Sequence, residues 1–260
     1  MKKITLENTY EWEIHSEFMN LPYDIKVAIP STPPPQAGYP IIYVLDGNAY
    51  FSFARDVIRL QSKRAAKTFI DSAIVVGIGH PGDDEAVSKR RFYEFTAPAE
   101  AYIYPERLKR FGKKEHGGAE RLMKFIQFEL KPEIEKHFSV DQQKQALFGH
   151  SLSGLFTLWA LFTQPKAFQT YLVISPSIWW NDHELYHYAN EFLQKTDKQS
   201  DVKLFIAVGE HEAFMVNDAK QLFSQLERDF NCSLYIAPEE NHASVVPTTI
   251  SRAFRFAYTR

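Results

Sequence analysis

Three unbroken apolar runs set the strongest limit on what this chain can become: PIIYVLDG at residues 40–47, SAIVVGIG at 72–79 and QALFGHS at 145–151. A strand that is apolar at every position, not at every second one, must be covered on both faces, and a parallel sheet between two helical layers provides that cover. Each run ends in glycine or a small polar residue, as a buried strand does where it reaches a turn. Helical patterns follow at about 51–63, 119–137 and 153–162, so strand and helix alternate. The alternation continues through YLVISPS, VKLFIAVGE and CSLYIAPEE, with helices near 182–194, 217–230 and 245–258. Ahead of all this, Tyr10–Phe18 and Tyr23–Pro30 show a period of two, which predicts an antiparallel hairpin at one edge. The expected architecture is therefore α/β: a doubly wound, mostly parallel sheet with helices on both faces and an N-terminal antiparallel edge hairpin, in one domain spanning residues 1–260. The stretch 80–118 is long, polar and aromatic with no clear period, and is expected to cover the site as a lid.

Composition narrows the partners. With hydrophobic residues at 45%, charged residues at 24% and a net charge of -2, the chain has ample core and no broad basic field. Nucleic acid and anionic membrane are poor partners for such a surface. No apolar run is long enough to span a bilayer. The single Cys232 forms no internal disulfide, which fits a reducing, cytoplasmic setting.

In a doubly wound sheet, ligands bind beyond the carboxyl ends of the strands, where GHS, SPS, GEHE and EENH fall. Among these, Gly149-His150-Ser151-Leu152-Ser153-Gly154 lies between an apolar strand and an apolar helix, the context of a nucleophile elbow. The sharp turn exposes a serine hydroxyl and requires small residues two before and two after it; Gly149 and Ser153 comply, although Ser153 stands where glycine is usual. The bland alternative is a serine that merely caps a helix. At the elbow, the Leu152 amide opens the helix and can stabilise an oxyanion. A second donor is expected from VLDGN, where the Gly47 or Asn48 amide follows a strand end.

A base and an acid should follow the nucleophile in chain order. His242, in the loop ENHAS after the strand CSLYIAPEE, is the best placed of the nine histidines; His150 lies inside the elbow and is expected to face the sheet or a neighbouring loop. Glu212, just past VKLFIAVGE, is the preferred acid to orient the imidazole. Glu210, Asp218 and a backbone carbonyl are its rivals.

Taken in order, LDGNAYF, RRFYEFT, FGHSLSGLF, SPSIWW, VGEHE and ENHASVVP resemble the predicted-esterase, esterase D-like branch of the α/β-hydrolases, and the resemblance spans nearly the whole chain. Within that branch the chain is similar to the ferric-siderophore trilactone esterases, which cut the triscatecholate lactones bacillibactin and enterobactin. The resemblance implies an α/β-hydrolase fold, a small-molecule ester substrate and no cofactor or metal. Some members work with a Ser-His pair and a weakly defined acid. It also implies that Arg90 or Arg91 faces the site to offset an anionic iron complex. Trp179 and Trp180 are expected to form an aromatic wall for catechol rings, with Phe92 and Tyr93 adding flat surface; core packing is the other reading of the tryptophan pair.

Three other functions fit parts of the chain. A general carboxylesterase or thioesterase acting on small acyl esters would use the same serine and histidine. His183-Glu184-Leu185-Tyr186-His187 spells H-E-x-x-H, which on a helix would set two imidazoles on one face, as zinc proteases require. A hydrolase fold that binds a ligand without catalysis would not need Ser151, His242 and a carboxylate together.

Overall fold

The structure, a computed structural model, describes residues 1, 5–104, 115–195 and 201–258. Among them, eight strands form one sheet: β1 Thr9–Ser16, β2 Leu21–Ala28, β3 Tyr39–Leu45, β4 Ile74–Gly79, β5 Val140–His150, β6 Thr170–Ile174, β7 Lys203–Gly209 and β8 Cys232–Ala237. Their order is β1-β2-β4-β3-β5-β6-β7-β8. The β1/β2 hairpin and the β2/β4 pair are antiparallel, and every other pairing is parallel. This is the expected doubly wound sheet with its antiparallel edge.

The apolar runs are buried for the reason their composition implies. All seven residues of β3 and all six of β4 are buried. In β3, Ile41, Tyr43 and Leu45 enter the core on one face while Ile42 and Val44 enter the core on the other. Helix α1 (Gly47–Gln61) and a one-turn α2 (Ala65–Thr68) follow β3, and α3 (Asp84–Glu94) follows β4. Residues 119–137 make one continuous helix: α4 (Ala119–Phe125), a π-wound turn at Ile126–Leu130, and α5 (Lys131–His137). Beyond β5 come α6 (Leu152–Thr163), α7 (Leu185–Lys195), α8 (Phe214–Leu226) and α9 (Val245–Tyr258). Phe51, Ala54 and Ile58 of α1 join Val246, Ile250 and Phe254 of α9 over one face of the sheet. Residues of α4, α6, α7 and α8 cover the other, including Leu122, Leu155, Phe192 and Leu222. Burying each such side chain contributes roughly 1.5–3 kcal/mol, and both layers therefore hold the strand ends in fixed positions.

Two elements differ from the sequence expectation. Within 80–118, where no period is visible, α3 forms behind an Asp83 cap whose carboxylate accepts the Ala86 N–H at 2.9 Å. Its one buried residue is charged: Glu94 is fully buried and bonded to Arg90 and His80. Residues 105–114 of the expected lid lie outside the described residues. Helix α7 starts at Leu185, not near 182, because Asn181, Asp182 and His183 all have positive φ. No helix among the described residues is long and apolar enough to cross a membrane.

Candidate active site

Segments leaving the carboxyl ends of β3, β4, β5 and β8 line one cavity of about 430 Å³, with Asp46, Asn48, Tyr50, Arg91, His150, Ser151 and His242 among its residues. Ser151 sits between β5 and α6 with φ 60° and ψ -117°, a strained conformation for a residue with a Cβ. Gly149 is what permits it: a Cβ there would lie 2.2 Å from the Ser153 carbonyl oxygen. The Ser151 N–H donates to the Ile174 carbonyl and its own carbonyl accepts the Ser177 N–H, so the turn is tied to β6 and the loop beyond it. Its hydroxyl is thereby aimed at the cavity.

His242 reaches that hydroxyl. Its Nε2 lies 3.1 Å from Ser151 Oγ, and its Nδ1 lies 2.6 Å from Glu212 Oε2. Because an ionised carboxylate only accepts, Nδ1 carries the proton and Nε2 is left free to accept the serine's. The histidine loop is built on Asn241, whose side chain accepts the Ala243 N–H at 2.9 Å. The loop is also stitched to the acid's own turn, where the His211 N–H donates to the Glu240 carbonyl and Glu210 Oε2 accepts the Glu239 N–H. Glu210 therefore braces the loop from the surface, while Glu212 lies beneath the imidazole with its side chain 2% exposed.

Glu212 is held at three points. Besides His242, it accepts the Ser175 hydroxyl at 2.5 Å and the Gly209 N–H at 2.7 Å through Oε1. Burial alone would raise its carboxyl, but the bonds from His242, Ser175 and Gly209 outweigh it and keep the group below the usual carboxylate range. Asp218, a rival in the sequence, instead meets His183 at 3.2 Å. His150 lies against His242, with ring centroids 4.6 Å apart and the rings tilted by 38°, and bonds the Tyr50 hydroxyl through Nδ1 at 2.9 Å. Burial first, and the neighbouring His242 second, push its pKa down to about 3, so it stays neutral.

The turns carrying the three candidate oxyanion donors border the same cavity. Leu152 is the first residue of α6, and Gly47 and Asn48 are the first two of α1; N–H groups in a first helical turn have no partner within the helix. Gly47 lies so close to β4 that a Cβ would sit 2.7 Å from the Gly77 carbonyl carbon. The Asn48 side chain clasps His80, accepting its N–H at 2.7 Å and donating to its carbonyl at 2.9 Å.

The residues expected to bind substrate are placed less uniformly. Arg91 lines the cavity, but its guanidinium is bound by the Asp46 carboxylate at 2.7 and 3.0 Å. Arg90 turns away, bonding Glu94 at 2.8 Å and the Pro22 carbonyl at 2.7 Å over the Tyr23 ring. Trp180 has no exposed surface and packs among Phe92, Tyr102, Tyr104 and His116, so it offers no wall to a ligand. Trp179, packed against it, is partly exposed. The HELYH segment does not make a two-histidine face. His183 precedes α7 in left-handed backbone and meets Asp218, whereas His187 is exposed and pairs with Glu191. Among the described residues no three His, Cys, Asp or Glu side chains cluster as metal ligands. Ser175, Asp46 and Tyr50 were not singled out by the sequence. SPS and LDGN contain two of them, but nothing in a linear pattern says which side chain turns inward.

Sheet order and site together define an α/β-hydrolase. Residues 16–249 match the family described as putative esterase, and the chain belongs to that esterase family. It is 39% identical to the ferri-bacillibactin esterase BesA of Bacillus subtilis over 97% of this chain and 90% of the relative. Among solved structures it resembles the BES protein from Bacillus cereus, with a TM-score of 0.90 and 38% identity over 100% of this chain and 99% of that one. The siderophore hydrolase EstA from Aspergillus nidulans superposes with a TM-score of 0.85 at 28% identity, covering 99% of this chain and 98% of its own.

Proposed function

We propose that this esterase is a serine hydrolase that opens the trilactone ring of a triscatecholate siderophore, with iron carried by the substrate. The observation that carries the mechanism is the unbroken chain of contacts from Ser151 Oγ through His242 to the buried Glu212. Similarity to a ferri-bacillibactin esterase over 97% of the chain supports the substrate.

In the first step Ser151 Oγ adds to the lactone carbonyl carbon while its proton passes to His242 Nε2. The carbonyl oxygen becomes an oxyanion facing the Leu152 amide and that of Gly47 or Asn48. Glu212 stabilises the imidazolium without taking its proton. Collapse breaks the C–O bond, and His242 protonates the departing serine-like alkoxide, leaving an acyl-enzyme. Water then attacks with His242 again as base, releasing a carboxylic acid and restoring Ser151. Because the cut bond is within a ring, both product groups stay on one molecule until further esters are cleaved. The partly exposed face of Trp179 is suited to a catechol ring. Placement in the cytoplasm is supported by the single unpaired Cys232.

The test is steady-state hydrolysis of ferric and iron-free trilactones beside a nitrophenyl ester, with fluorophosphonate labelling mapped by mass spectrometry. Label on Ser151, loss of about a thousandfold or more in Ser151→Ala, and a large kcat/KM preference for trilactone are expected. No label on Ser151 overturns the mechanism. Absence of any trilactone preference leaves a general carboxylesterase.

A further inference from the structure

An oxyanion hole works only if its donors are already in place when charge develops. Here the donors come from two separate turns, one after β3 and one after β5. These strands are paired with each other as far as Val44 and Phe148; beyond that register Leu45 pairs only with β4, and Gly149 and His150 only with β6, before the two chains enter different helices. No β3/β5 ladder bond therefore links the turn of the Leu152 amide directly to that of the Gly47 and Asn48 amides.

A side-chain link does. Asp46 immediately precedes Gly47, and its φ of 53° turns the carboxylate back into the protein, where the residue is only 7% exposed. Its Oδ2 accepts the Ser153 hydroxyl at 2.7 Å, and Ser153 is fully buried one residue past Leu152. The same Ser153 oxygen accepts the His150 N–H at 2.9 Å, so it also holds the near side of the elbow. On the other side Arg91 of α3 grips both Asp46 oxygens, Nε on Oδ1 at 2.7 Å and Nη2 on Oδ2 at 3.0 Å. A two-pronged guanidinium contact of this kind fixes direction as well as distance. Burial opposes ionisation of Asp46, but the Arg91 charge and the bonds from Arg91 and Ser153 hold its carboxyl below the usual range. The link thus remains ionic at neutral pH. Glycine, usual at the Ser153 position of an elbow, could not make it.

We propose that Asp46, braced by Arg91 and bonded to Ser153, is a strut that sets the spacing of the two oxyanion-hole amides, making these three side chains positioning residues for acyl transfer. The strut gives Arg91 a role distinct from binding an anionic substrate: its positive charge is spent on Asp46. It rests on the serine mechanism proposed above and not on the siderophore as substrate.

The experiment uses Ser153→Ala and Arg91→Gln in the full chain, with nitrophenyl acetate, its thionoester and a trilactone as substrates. Fluorophosphonate labelling of wild-type Ser151 separately checks the serine mechanism. Deleting an oxyanion donor outright costs about 100- to 1000-fold in kcat, so a donor displaced but not lost should cost about tenfold or more. That loss is expected in kcat, with KM nearly unchanged, and to the same degree for nitrophenyl acetate and the trilactone. The preference for the ester over the thionoester should also shrink, because a loosened hole discriminates less between oxygen and the larger sulfur; a side chain that merely supports the fold would not change this ratio. Arg91→Gln alters a partly exposed side chain and decides the matter if Ser153→Ala does not fold. Folded variants with near wild-type kcat, an unchanged ester-to-thionoester ratio, or an Arg91→Gln loss confined to the trilactone would each overturn the strut.

Discussion

Changing Glu212 to glutamine preserves shape and removes one charge, and the surroundings determine how the new amide must sit. Oε1 accepts two donors, the Ser175 hydroxyl and the fixed Gly209 N–H. An NH2 group in that slot would face the Gly209 N–H at 2.7 Å, donor against donor, so the amide oxygen must take it. The NH2 then points at His242 Nδ1, where the carboxylate stood at 2.6 Å. To accept that bond, Nδ1 must give up its proton and Nε2 must carry one. An imidazole protonated at Nε2 cannot take the proton of Ser151, and the same exchange in a serine protease costs about 10⁴ in kcat. We therefore expect Glu212→Gln to lose about 10³- to 10⁴-fold in kcat/KM toward a nitrophenyl ester at neutral pH. Losing charge-assisted bonds should also lower stability by about 1.5–3 kcal/mol. The sign with pH follows from the lowered carboxyl: its stabilisation is complete above the unfolded value of about 4.3 and is lost as pH falls through the folded value. Wild type and variant should accordingly converge in acid. The assay pairs initial rates with urea melts across pH. A folded variant retaining a tenth or more of wild-type kcat/KM would show that the carboxylate does not set the tautomer.

Three further outcomes are expected. Gly149→Ala would place a Cβ 2.2 Å from the Ser153 carbonyl oxygen; urea melts should show a loss of at least about 1–3 kcal/mol, and fluorophosphonate should no longer label Ser151, whereas wild-type labelling would refute the steric argument. His150, pushed down to about 3 by burial and by His242, should show no imidazole titration by NMR between about pH 5 and 8. Its lowered folded value also means that stability is lost as pH falls below the unfolded value of about 6.5; a titration midpoint above 5 would contradict its burial as neutral imidazole. Trp180→Ala should cost about 3–5 kcal/mol in a urea melt, while Trp179→Ala should keep the fold and weaken trilactone kcat/KM. Unchanged trilactone kinetics in Trp179→Ala would remove the aromatic wall.

What could be read from the sequence follows a physical division. Strands such as PIIYVLDG are legible because burial on both faces demands an apolar residue at every position, and β3 is buried throughout. The meeting of Ser151 with His242 is legible because a strand end fixes where a loop emerges. Glu212 and Glu210 are harder to separate, being two residues apart in one short 3₁₀ turn, and only the fold shows which oxygen goes under the imidazole and which braces the rim. Helix α3 escapes a hydropathy reading because its one buried residue is a charged one, Glu94, ion-paired with Arg90. The same pairing takes Arg90 from the site. HELYH has the spacing of a ligand set but not the backbone, since φ of 62° at His183 puts it outside the helix. Trp180 is ambiguous by composition alone, as aromatic residues serve cores and ligand walls equally well.

Asp46, Ser151, Ser175 and Ala213 all have positive φ, between 43° and 60°, and none is glycine. Ser151 is the assigned nucleophile, Asp46 and Ala213 adjoin Gly47 and Glu212, and Ser175 bonds Glu212; torsions of this kind cost of order 1–3 kcal/mol apiece. Together they are comparable with the roughly 5–15 kcal/mol net stability of an ordinary domain. The geometry needed for turnover is thus imposed on the loops by the packed sheet and helices around them. Mild heat or denaturant that slackens this surround should let the loops relax first. Activity should then fade at a lower temperature than far-UV circular dichroism, and return on cooling, so that this esterase is limited in use by the melting of its site before the melting of its fold.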